Sequence, residues 1–167
     1  MRMRTLALSL TVSTLAIGVA LAASPHFINA TGSIDKTTGD YVASFKEAGL
    51  GNSPVTYDLE ANTAYQFQCF TKSNNKPNGS PNAGGPSTEN TQTTIIPHNG
   101  QITADIRLDV TFPPTTASCQ GGGLKLCLVS ASYTNVVLTD VTDNITEDLP
   151  NASLSAPNGK FIACSDS

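Results

Sequence analysis

Two histidines, one acidic segment, a Lys–Glu pair and four cysteines are the residues of this chain whose types and spacing could do chemistry. His26 lies in "SPHF" and His98 in "IPHNG". A hydrolase built on either needs a partner nucleophile. The chain carries no Gly-x-Ser-x-Gly elbow and no His-Glu-x-x-His helix motif, so a surface or turn role is expected for both. "DVTDNITED" offers Asp140, Asp143, Asn144, Glu147 and Asp148 as hard oxygen donors of the kind Ca²⁺ takes. Asp140, Asp143 and Asp148 are the calcium candidates. Their spacing matches no EF-hand loop, and a charged turn leaving a strand explains the same residues. "FKEAGLGN" holds Lys46 and Glu47 beside two glycines. An acid–base pair there has no third polar group to orient it. A corner between two strands accounts for the stretch, with glycines free to take positive φ, Leu50 at the core edge, and Lys46 and Glu47 facing water.

Cys69, Cys119, Cys127 and Cys164 make an even set, with separations of 50, 8 and 37. Zinc knuckles use Cys-x-x-Cys spacing, which is missing here. Two disulfides are therefore expected, as in a chain from an oxidising compartment. Three pairings are open. Cys69 with Cys119 and Cys127 with Cys164 is favoured, each bridge worth about 4 kcal/mol in the chain-entropy model. Cys119 with Cys127 across a hairpin is the nearest rival.

The start of the chain supports that compartment. Arg2 and Arg4 precede an uncharged apolar run from Leu6 to Leu21, and Ala20 and Ala22 form an A-x-A site. This is the layout of a secretory signal, so residues 1–22 are expected to be removed and 23–167 to form a single domain, secreted or periplasmic. The run is shorter than the roughly 20 residues a bilayer span needs, and no later run is longer. Losing the two arginines moves the formal charge from −4 to −6. Nucleic acid and anionic membranes both require clustered Lys and Arg, and neither is expected as a partner.

The elements that must position these residues read as strands. In "QITADIRLDVTF", Ile102, Ala104, Ile106, Leu108, Val110 and Phe112 alternate with polar residues. "VTYDLEA", "AYQFQC" and "YVASF" repeat the two-residue period, the mark of antiparallel strands with one wet face. "LKLCLVSASYTNVVLTD" is apolar on both faces early, as a central strand would be, and its parity change between Tyr133 and Val136 predicts a bulge at Thr134 or Asn135. "FINATGSI" and "KFIAC" are weaker strands. Residues 71–90, "TKSNNKPNGSPNAGGPSTEN", read as a flexible polar loop. Seven to nine strands suit an all-β, antiparallel two-sheet sandwich, immunoglobulin-like or a related Greek key, braced by disulfides. Tyr41, Tyr57, Tyr65 and Tyr133 fall on inward positions and there is no Trp, which leaves a sugar-stacking platform without its usual aromatics. Asn29, Asn78, Asn144 and Asn151 lie in N-x-S/T sequons, read as surface asparagines.

"SPHF", "VASFKEAGLGN", "AYQFQC", "ASC" and "VSASYTNVVLTD" together resemble a group of small secreted bacterial proteins, over most of the chain after the signal. The resemblance implies an exported β-rich domain in which Cys69 pairs with Cys119, with Cys127 and Cys164 as an added second bridge. It implies no activity and no cofactor. The expected role is a non-catalytic extracellular module, structural or binding, whose partner is a cell-envelope or extracellular protein or a second copy joined at a sheet edge. The rival roles are a small extracellular hydrolase using His26 or His98, a calcium-stabilised domain and a carbohydrate-binding module.

Overall fold

A computed structural model describes residues 24–113, 119 and 122–165 of the protein; the expected signal, 1–22, lies outside the described residues. Within them the two-residue alternation becomes nine strands and no helix. These are β1 (His26–Ile34), β2 (Tyr41–Ala48), β3 (Val55–Thr71), β4 (Pro77–Ile95), β5 (Gln101–Leu108), β6 (Leu124–Asp140), β7 (Ile145–Leu149), β8 (Ala152–Ser155) and β9 (Ala163–Cys164). All pairings are antiparallel. One sheet runs β1-β2-β5. The other runs β4-β3-β6-β7, with β8 and β9 also paired to β6.

The dry faces of the two sheets meet in one core. β2 contributes Tyr41, Ala43 and Phe45, and β5 contributes Ile102, Ile106 and Leu108. Opposite them lie Tyr57, Leu59, Ala61, Tyr65 and Phe67 of β3 and Leu126, Leu128, Ala131, Tyr133, Val136 and Leu138 of β6. Aromatic rings bridge the sheets: Phe45 and Tyr57 at 4.7 Å between centroids, Tyr41 and Tyr133 at 5.3 Å. Each fully buried Leu or Phe removed from water stabilises the fold by about 1.5–3 kcal/mol.

The bulge expected in β6 is present. Glu60 faces Val137 and Asn62 faces Thr134, so β6 carries one residue more than β3 there. Asn135 takes φ 50°, and its N–H goes to Asn151 Oδ1 at 3.0 Å. The corner after β2 turns at Gly49, φ 82°, and buries Leu50. The β4–β5 hairpin turns on Asn99 and Gly100, both at positive φ, the requirement of a type I′ turn.

Cys69 is bonded to Cys119 and Cys127 to Cys164, the favoured pairing. The first bridge belongs to the main core. The second lies on the outer face of β6, where Cys127 and Phe70 are fully buried. Phe161 packs on Phe70 at 5.1 Å between centroids, and Ile162 and Ser165 donate their N–H groups to Leu128 O and Leu126 O. This cover explains why early β6 is apolar on both faces.

Two sequence expectations are corrected. Residues 77–95 form strand β4 rather than the greater part of a loop over 71–90. They pair with β3 from Phe70↔Pro77 to Val55↔Ile95, leaving a short turn after Thr71. Main-chain hydrogen bonds to a strongly apolar neighbour hold β4, so its own side chains need no apolar signal. The strand expected through Phe112 ends at Leu108. Val110 gives its N–H to the Asp40 carboxylate at 2.9 Å instead of to a ladder, although Val110 and Phe112 still pack against the core.

Candidate functional site

Continuing the β2 alternation Tyr41, Ala43, Phe45 by two residues puts Glu47 on the dry face. It is fully buried, which corrects the expectation that it faces water. Its strand neighbours are Phe27 of β1 and Ile102 of β5. Across the core, Tyr57 donates its hydroxyl proton to Glu47 Oε2 at 2.8 Å. Tyr57 pairs in register with Asp140, the last residue of β6, which is also fully buried. Asp140 Oδ1 accepts the N–H groups of Thr142 at 2.8 Å and Asp143 at 3.1 Å, an Asx turn that shapes the entry to β7. The remaining oxygens, Glu47 Oε1 and Asp140 Oδ2, are buried without a hydrogen-bond partner, and Tyr57 links the two carboxyls, bonding to Glu47 and pairing in register with Asp140.

Burial pushes the Glu47 carboxyl up to about 7; the Tyr57 hydrogen bond opposes this and the charge of Asp140 adds to it. Burial also raises Asp140, against the two backbone hydrogen bonds, with Asp143 adding to the rise. Tyr57 is raised by burial and by its bond to Glu47, so it stays a donor. Such a cluster can hold a proton. It has no third ligand for a metal: among the described residues no three His, Cys, Asp or Glu side chains gather as a metal site. Of the calcium candidates, Asp143 sits beside Asp140 in the turn, whereas Asp148 is exposed on β7 opposite Val137.

A second polar feature opens between β4 and the chain leaving β5. Glu89, Asn90 and Thr91 face Leu108, Asp109 and Thr111 across a cleft of about 400 Å³. Tyr65 donates to Glu89 Oε2 at 2.7 Å and lies 3.4 Å from the Tyr133 hydroxyl, which itself donates to Gly39 O at 2.8 Å. Glu89 is thereby held by a file of tyrosines reaching into the core.

The histidines do not join either feature. His26 is bonded through Nδ1 to Ser24 O at 2.8 Å on exposed β1. His98 makes a backbone bridge to Gln101 in the hairpin. Neither lines the cleft that holds Glu89 and Asp109. All four tyrosines are buried, so none is available to stack on a sugar. Sequence reasoning missed Glu47, Tyr57 and Glu89 as partners. Parity alone would have placed Glu47 inward, but its meeting with Asp140 has no local signal.

Compared with protein families, curated proteins and solved structures, the chain has no significant match.

Proposed function

We propose that the protein is an exported, non-catalytic β-sandwich module, immunoglobulin-like or a related Greek key, made with a cleaved signal at 1–22 and acting at or outside the cell envelope. Two disulfides suit an oxidising compartment. No helix among the described residues is long and apolar enough to cross a membrane. The observation that carries the binding role is the edge at β4. It is a strand of 19 residues that ends its sheet, and a terminal strand presents unpaired N–H and C=O groups to which another strand can add. Pro77, Pro81 and Pro86 interrupt its first half; 87–95 contains no proline. The partner is another copy or an envelope protein that adds a strand along 87–95.

Hydrogen exchange on the secreted form, read residue by residue from about 10 μM to 1 mM with sedimentation in parallel, tests this reading. Added protection of amides in 87–95 as the sedimenting species grows, or on adding a solubilised envelope fraction, is the expected result. A monomer at every concentration with unchanged exchange in both arms overturns it.

A further inference from the structure

We propose that Glu47 and Asp140 share one proton between Glu47 Oε1 and Asp140 Oδ2, and that this proton fastens the two sheets together in mildly acidic surroundings and is released in alkaline ones. The inference stands apart from the binding role above. Glu47 belongs to the β1-β2-β5 sheet and Asp140 to the other, so a bond between them crosses the core. Each carboxyl already has one oxygen occupied, Glu47 Oε2 by the Tyr57 hydroxyl and Asp140 Oδ1 by two backbone N–H groups. The two left over are both buried and both acceptors. A buried acceptor without a donor is destabilising, and more so if it is charged. A proton on one carboxyl, donated to the other, satisfies both at once.

Among the described residues, the surroundings supply no competing cation. From β1 and β5 the neighbours of Glu47 are Phe27 and Ile102, which do not titrate. From β3 comes Tyr57, a donor. From the β6–β7 turn comes Asp143, whose negative charge favours keeping the proton. Lys46, next in the chain, lies on the opposite face of β2. With the proton gone, two buried carboxylates are left with Tyr57 and two amides to hold them among the described residues.

The sign follows from proton counting. The folded protein keeps a proton that an unfolded Glu releases near 4.5, and gives it up around 7. Stability is therefore fully present below about 4.5 and falls as pH rises through 7.

The test is thermal unfolding of the secreted form, disulfides intact, from pH 4.5 to 8.5, beside Glu47→Gln and Asp140→Asn. Either amide can donate where the shared proton did. The wild-type melting temperature should fall by about 5–10 °C over this range, while Glu47→Gln loses that fall, Asp140→Asn reduces it, and both melt above the wild type at pH 8.5. A flat wild-type profile, or a slope that Glu47→Gln retains, overturns the proposal. Should the variants fail to fold, carbon NMR of labelled Glu carboxyls in the wild type decides it. One carboxyl titrating near 7 supports the shared proton, and all titrating below 5 overturns it.

Discussion

Gly32 offers a sharp test of how the first strand is seated. It pairs with Ala43 on β2, and the space a side chain would take is filled by Tyr41. An added Cβ would overlap the Tyr41 hydroxyl oxygen and Cζ and come within 2.9 Å of Cε1. Tyr41 has little room to yield: it is fully buried, packs on Tyr133, and donates to Pro150 O at 2.7 Å. In Gly32→Ala either the ring swings away from Pro150 or β1 lifts off β2. Swinging loses a part-buried hydrogen bond, about 1 kcal/mol, and strains a packed core by about 1–3 kcal/mol. Lifting exposes Phe27, Ala30 and Ile34, which pack against the core. Either route gives about 3 kcal/mol of destabilisation. Urea unfolding followed by far-UV circular dichroism and tyrosine fluorescence measures it, since the chain has no Trp. Tyr41→Phe alone should cost about 1 kcal/mol. The double variant should cost less than the sum of the two, because removing the hydroxyl relieves part of the overlap. Gly32→Ala within about 0.5 kcal/mol of wild type, the range of an ordinary surface change, would refute this account of β1.

Removing the outer bridge with Cys127→Ala and Cys164→Ala should lower stability by about 4 kcal/mol in the chain-entropy model. Hydrogen exchange should show the amides of Ile162 and Ser165 losing protection first, with β3 little changed. At low pH a different group takes over. Hydrogen bonds from the Thr37 hydroxyl and N–H, then Arg107, lower Asp35 from 3.8 to about 2. Its contribution is present above about 3.8 and is lost as pH falls through 2. Asp35→Asn should flatten the acid limb of the melting-temperature profile between pH 2 and 4 and leave the limb above 4.5 unchanged.

The sequence by itself determined which side chains are dry. A two-residue period is a local property of strands, so the inward positions of Tyr41, Phe45, Ile102 and Leu108, the corner at Gly49 and the Asn99–Gly100 turn were all legible before any contact was known. The extra residue in β6 was legible as a break in parity, because a one-residue slip moves every following side chain to the other face. Tertiary structure alone decided the rest. β4 exists because β3 offers it a ladder, a main-chain property that composition does not encode. β5 stops at Leu108 because the Asp40 carboxylate, distant in sequence, takes the Val110 N–H. Glu47 and Asp140 are brought to the same Tyr57 only when the two sheets close on each other, since long-range pairing depends on how loops return the strands.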